Sequence, residues 1–129
     1  MTDLSIYFQP VSTDINFEET QLGSHIALFT ESFPELKGPG CAIISVPEYR
    51  GTESAQLSTA PFRTAFYQLY PESNWDKPIY DLGEIKPGAT IEDTYFALSN
   101  VVSELVKHNI IPIVVGGSQD LTMALYQGY

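Results

Sequence analysis

Three short stretches carry residues whose types and places could do chemistry. Gly116-Gly117-Ser118-Gln119-Asp120 follows the apolar run 110–115. Paired glycines let a ligand approach the backbone closely, and Ser118 to Asp120 would open a helix whose free N–H groups point outward. Glu48 follows a second apolar run at 41–46, and Asp81 lies within or just after a third at 79–82. If these runs are parallel strands, their carboxyl ends share one edge of a sheet, the edge where open α/β sheets bind ligands. Glu48, Asp81, Gly116, Gly117, Ser118, Gln119 and Asp120 are therefore the expected crevice-lining residues, with no catalytic step assigned to any of them. The same turn also suits a plain strand-to-helix loop with Ser118 as the cap and Asp120 placed by the helix dipole.

Several familiar chemistries are excluded. No GxxxxGK[ST] occurs, and the spacing after Gly116-Gly117 is not that of GxGxxG. No GxSxG elbow occurs, so an α/β-hydrolase nucleophile has no place here. Cys41 sits in an apolar strand and reads as a small core residue. His108 falls at the end of a helix, where a cation suits the dipole. His25 borders an apolar stripe and reads as a half-buried packing residue. Two histidines without ligand spacing make no zinc site.

The elements that would position these residues alternate in type. Cys41 to Val46 reads as a strand covered on both faces, because it is nearly all apolar and rich in β-branched residues. After a polar loop at 51–58, Thr59 can cap a helix carrying Phe62, Phe66 and Leu69 on one face, stopped by Pro71. Ile79 to Leu82 is a second strand, ended by Gly83. Thr90 and Asp93 resemble a capping box for a long helix with Ile91, Tyr95, Leu98, Val102 and Leu105 on its inner face. Ile110 to Val115 is a third strand, with Pro112 near its start or on an edge. Another helix begins at Leu121. This order predicts a parallel α/β sheet with right-handed crossovers over residues 41–129.

Residues 1–40 form an N-terminal extension expected to pack on that domain. Ile6 to Phe8 suits a short strand or an apolar anchor, and Leu22, Ile26, Phe29 and Phe33 recur at helical spacing. A three-stranded sheet leaves open edges, and the helix face at Leu121, Ala124 and Leu125 lacks a cover, so the chain reads as a piece of a larger protein that self-associates.

The whole chain has 129 residues, enough for one domain, and is 43% hydrophobic. Sixteen Asp and Glu against six Lys and Arg give a net charge of −10 at pH 7. Such a field repels nucleic acid and anionic membrane surfaces. One cysteine, no leader and no long apolar run point to a cytoplasmic protein outside the membrane.

Four of these motifs, in order, resemble the ureohydrolase superfamily of arginases, agmatinases and formimidoylglutamases. Ile113 to Thr122 resembles the strand and Gly-Gly-x-His turn. Val46-Pro47-Glu48-Tyr49-Arg50-Gly51 resembles the first strand and its loop, Ala60-Pro61-Phe62-Arg63 the Pro-x-x-Arg helix start, and Asp81-Leu82-Gly83 the Asp-x-Gly strand. The likeness covers residues 41–129 and looks nearest a divergent arginase-like branch grouped with formimidoylglutamases. It implies a three-layer α/β/α fold with a parallel sheet, of which this chain is an incomplete N-terminal part. It also implies a two-manganese site that activates water against a C–N bond of a linear amidine or guanidine. The family's first metal ligand, the His of Gly-Gly-x-His, corresponds to Gln119, whose neutral amide oxygen is a poorer donor than imidazole. The other family ligands lie in motifs beyond this chain, so no metal is expected in it.

The functional expectation is part of a metal-dependent C–N hydrolase, inactive as this fragment, with a small-molecule amidine or guanidine as substrate of the full-length protein and with homo-oligomeric assembly. The alternative is a non-catalytic relative using the fold for binding or assembly. A receiver-type regulatory domain ranks last, because the third strand ends in Gly116-Gly117 with no phospho-acceptor Asp.

Overall fold

The computed structural model describes residues 3–51 and 60–129. The expected Thr59 cap and most of the 51–58 loop lie outside the described residues. Among the described residues, five strands and three helices build the fold: β1 (Phe8–Gln9), β2 (Ala27–Leu28), β3 (Gly40–Ser45), α1 (Ala60–Tyr67), β4 (Ile79–Ile85), α2 (Ile91–Lys107), β5 (Ile110–Val115) and α3 (Leu121–Gly128). The sheet runs β1-β4-β3-β5, and β2 also pairs with β4. β3 is central and parallel to both β4 and β5, as the alternation of elements requires.

Strand alternation sorts the side chains into two layers. Ala42, Ile44 and Val46 of the β3 run, with Tyr80 and Leu82 of β4, face the main core shared with α2 and α3. Asp81, in the same strand, faces the opposite side and meets Tyr67 of α1. The result is a three-layer α/β/α arrangement around a mostly parallel sheet.

Thr90 and Asp93 form the expected capping box, each side chain satisfying the other's backbone N–H. Inside α2, Leu98, Val102 and Leu105 are fully buried, as their spacing predicts. Burying each such side chain contributes about 1.5–3 kcal/mol. Beyond His108 the helix ends on Asn109, whose φ of 63° is the left-handed conformation that asparagine tolerates.

The first forty residues depart from expectation. The spacing of Leu22, Ile26, Phe29 and Phe33 predicts a helix, yet only a 3-10 turn forms at Leu22–His25 before β2. The backbone is claimed by the sheet instead: Ala27 and Leu28 pair with Tyr80 and Asp81, the Phe29 N–H donates to the Asp81 carbonyl, and the Val11 N–H donates to the Phe29 carbonyl. The four apolar residues therefore divide between two clusters, Leu22 and Ile26 with Tyr67, Phe29 and Phe33 with the main core. His25 is exposed rather than half-buried.

Edge exposure is also corrected. β1 pairs antiparallel with the end of β4 and β2 parallel with its start, so β4 is covered and these two-residue strands form the edge on that side. β5 is the open edge among the described residues. The Val46 N–H donates to the Val115 carbonyl, so by alternation the Pro112 nitrogen faces outward, where it withholds a donor from any added strand. Nor is α3 uncovered: Leu121 and Ala124 are buried in the main core, and Gly128 packs against Val102 of α2.

Gly83 does not end β4. It sits inside the strand with φ 86°, in the irregularity where Ile43 pairs with Asp81 but Ser45 pairs with Glu84. That extra residue is a β-bulge, and it shifts the phase so that Ile85 returns to the core. A Cβ on Gly83 would collide with the Gln9 carbonyl oxygen, so β1 can lie against the bulge only because residue 83 is glycine.

Candidate functional site

The seven expected site residues fall into two groups on different sides of the sheet. Glu48, Ser118 and Asp120 come together at the carboxyl ends of β3 and β5, with the Gly116-Gly117 turn between them. Asp81 is apart from them, buried beneath α1.

The first group is built on the Gly-Gly turn. Gly116 and Gly117 both have φ 84°. A Cβ on Gly117 would run into the Leu121 side chain and stand 2.8 Å from the Val46 carbonyl oxygen. The chain can therefore fold back over the end of β3 only with glycine there. This brings the Ser118 N–H to the Glu48 carbonyl at 2.9 Å, and the Ser118 hydroxyl donates to the same oxygen at 3.3 Å. The expected Ser118 cap is thus not formed; its hydroxyl ties the turn to the loop after β3 instead.

Glu48 is buried, and both carboxylate oxygens are engaged. Arg50 Nε donates to Oε2 at 2.9 Å, and Arg50 Nη2 and Thr94 Oγ1 donate to Oε1. The Arg50 guanidinium beside Glu48, aided by Thr94, holds its carboxyl down at about 2. Arg50 also donates to the carbonyls of Gly88 and Ala89, while Thr94 accepts from the Gly88 N–H. One clasp therefore joins the loop after β3, the loop before α2 and the first turns of α2.

Asp120 accepts a hydrogen bond from the Tyr95 hydroxyl. The Ser118 and Tyr95 hydroxyls hold its carboxyl below the usual range, and Asp120 in return pushes the Tyr95 phenol up to about 12. The loop after β3 closes over this carboxylate so tightly that a side chain at Gly51 would collide with it. Gln119 is exposed at the tip of the turn and does not enter the core.

The second group is a buried ion-pair network. Arg63 Nε and Nη2 each donate to one Asp81 oxygen at 2.8 Å, a bidentate pair. Tyr67 and the Gly83 N–H also donate to Asp81, and Arg63 reaches Ser45 Oγ and the Gly83 carbonyl. Burial, and then the Asp81 charge, push the Tyr67 phenol far up, so it stays a donor. The spacing puts Phe62, Phe66 and Leu69 on one apolar face, and Leu69 falls beyond the end of α1. Arg63 and Tyr67 are its buried residues instead, because the charge of Asp81 beneath must be paired. Charge and aromatic four residues apart on one helix, with an Asp in the facing strand, were the available signal. Arg50 and Thr94 were likewise missed; Glu48 and Arg50 two residues apart in one loop hinted at the first.

Among the described residues, two cavities lie elsewhere. One of about 370 Å³ and one of about 290 Å³ open near Ile79 and Trp75, at the start of β4 rather than at the carboxyl ends. Cys41 lines the smaller one and is half-buried, not in the core. His108 caps α2 as expected, with Nδ1 2.9 Å from the Glu104 carbonyl oxygen.

Among the described residues, no helix is long and apolar enough to cross a membrane. No protein-family model matches the chain, and no curated protein sequence matches it. Its structure is similar to the crystal structure of formimidoylglutamase from Bacillus subtilis subsp. subtilis str. 168, with a TM-score of 0.65 and 21% sequence identity over 93% of this chain. The chain spans 39% of the length of that protein. At this identity the likeness is one of fold, and the fold is the arginase-like three-layer α/β arrangement.

Proposed function

We propose that this chain forms the first part of an arginase-like hydrolase domain that cleaves a C–N bond of a linear amidine or guanidine. In this reading Gly116 to Asp120 form one wall of the substrate crevice. The fold it shares with a formimidoylglutamase carries the reading, and the exposed Gly-Gly turn at the carboxyl ends of parallel strands supports it.

Manganese, implied by the family, does not fit the donors present here. Among the described residues no three His, Cys, Asp or Glu side chains converge as a metal site. Glu48 is committed to Arg50 and Thr94, and Asp81 to Arg63 and Tyr67. Gln119 offers a neutral amide oxygen. The chain's own residues therefore shape and brace the crevice; no step is assigned to a metal held by them.

A second reading, a binding or assembly module without catalysis, is favoured by one observation: Glu48, the buried carboxylate of the crevice group, is already neutralised by Arg50. The intact cellular polypeptide carrying this chain, supplied with manganese, separates the two. Release of urea, ammonia or formamide from arginine, agmatine or formiminoglutamate supports the hydrolase, and release at the level of the blank supports the module. The 129-residue chain by itself is expected to release none.

A further inference from the structure

Of the two carboxylates at the carboxyl ends of β3 and β5, one is neutralised and the other is not. Glu48 is paired with Arg50, whereas among the described residues no lysine or arginine forms an ion pair with Asp120. The Tyr95 hydroxyl donates to Asp120 Oδ2 and fixes the carboxylate in place. Oδ1 is buried and has no hydrogen-bond partner. A charged oxygen buried in that state is costly, and a donor that reached it would recover the cost. Its cover is the chain's own loop after β3, because a Cβ on Gly51 would collide with the carboxylate. A further layer of polypeptide laid over this rim would meet Gly51 and not the oxygen. The geometry admits a small donor that enters beside Gly51 as the loop lifts.

We propose that Asp120 is the receptor for an organic cation, the amidinium or guanidinium head of a ligand, which gives an N–H to Oδ1 as Gly51 lifts away. This rests on the reading of Gly116 to Asp120 as a substrate wall. Charge and shape select the class. The carboxylate has no cation of its own, so a cationic donor is favoured over a neutral one. Oδ2 keeps an acceptor position beside Tyr95, so a planar N–C–N head can span both oxygens with parallel N–H groups. A hard divalent ion fits less well, since it collects several oxygen ligands and Glu48 is committed to Arg50 and Thr94.

The test is a nuclear magnetic resonance titration of the full nitrogen-labelled chain at fixed ionic strength. Acetamidinium and methylguanidinium are expected to shift the amides of Gly51 and of Ser118 to Asp120. Acetamide has N–H donors without charge, and tetramethylammonium has charge without N–H donors; both are expected to leave these amides in place. Asp120→Asn is expected to weaken acetamidinium binding roughly tenfold or more. Glu92→Gln removes a charge from the exposed first turn of α2 and is expected to leave the affinity within about twofold. In Gly51→Ala the methyl holds the loop off the carboxylate, so acetamidinium is expected to bind more tightly. Circular dichroism checks that each variant is folded. No shift with either cation would overturn the proposal, as would equal shifts with tetramethylammonium. So would an affinity that Asp120→Asn leaves unchanged, that Glu92→Gln lowers as much, or that Gly51→Ala fails to raise. The intact cellular polypeptide separates this inference from the reading beneath it. Hydrolysis of agmatine with a KM that Asp120→Asn does not move would overturn the inference alone. Asp120-dependent binding of acetamidinium without hydrolysis would overturn the hydrolase reading alone.

Discussion

Asp81 and Glu48 are both carboxylates held by an arginine, yet the two pairs sit in different surroundings. Around Asp81 both partners are buried, Arg63 at 4% exposure and Asp81 at 0%, and every donor that reaches the carboxylate comes from the interior. Around Glu48 the carboxylate is buried, but Arg50 is 42% exposed and spends its other donors on loop carbonyls. A fully buried pair repays its desolvation only while both members are present, whereas a half-exposed pair is cushioned by solvent. The first is accordingly a rigid internal joint between α1, β3 and the bulge of β4. The second is a rim clasp that joins loops where a ligand would arrive.

Removing one partner at each place should separate the two pairs most sharply. Arg63→Met leaves Asp81 charged and buried, and a loss of about 3–5 kcal/mol is expected. Urea denaturation would measure it. Adding Asp81→Leu removes the stranded charge, so the double variant is expected to be more stable than Arg63→Met. If the double variant were the weaker of the two, Asp81 would be stabilising the fold through Tyr67 and the Gly83 N–H even without Arg63.

The bulge belongs to the same joint. Gly83→Ala forces a side chain into a left-handed backbone and against the Gln9 carbonyl, at an expected cost of about 1–3 kcal/mol. Because the Lys86 N–H donates to Tyr7 beside β1, faster exchange of that amide would show that β1 has come away from β4. Unchanged exchange would mean that β1 is held by Phe8 in the core rather than by its backbone.

The rim clasp should show itself in acid. The folded Glu48 carboxyl titrates at about 2 and an unperturbed one at 4.5. Its folded value is depressed, so its contribution is complete above about pH 4.5 and is lost as pH falls towards about 2. With Arg50 half in solvent, that contribution is on the order of 1–2 kcal/mol. Glu48→Gln is expected to flatten the dependence of urea midpoint on pH in that window, and Arg50→Ala to flatten it nearly as much. A slope that survives Glu48→Gln would place the acid sensitivity in other carboxylates.

The sequence made some of this legible and hid the rest for a physical reason. β3, β5 and α2 declare themselves because their patterns are long and uniform, and Thr90 and Asp93 mark the start of α2. Residues 21–33 deceive because a few apolar residues can match a helical period while β4 claims their backbone. In α1 the aromatic stripe marks one face but not which residues are buried, and the charge of Asp81 across the layer explains why Arg63 and Tyr67 go inward. The crevice positions could be read from strand ends, but which of their oxygens are already taken could not. That depends on contacts such as Thr94 to Glu48, which join residues distant in sequence.

Gln119 gives the smallest expected effect and the sharpest test of the rim. It is exposed, so Gln119→Ala is expected to change stability by less than about 0.5 kcal/mol. Gln119→His would introduce the imidazole that the resemblance to ureohydrolases implies at this turn, yet stoichiometric manganese binding is not expected to follow. A single imidazole is too little for an ion that collects several hard ligands. Of the nearest carboxylates, Glu48 is engaged with Arg50 and Thr94, and Asp120 gives Oδ2 to Tyr95 and keeps only Oδ1 without a partner. The electron paramagnetic resonance signal of free manganese should therefore be equally strong with either chain. If Gln119→His instead removed one manganese per chain from solution, either Asp120 would have bound it through its unpartnered Oδ1 or Glu48 would have given up Arg50. Pairing Gln119→His with Tyr95→Phe, which frees Asp120 without touching Glu48, would then tell which of the two carboxylates had turned to the metal.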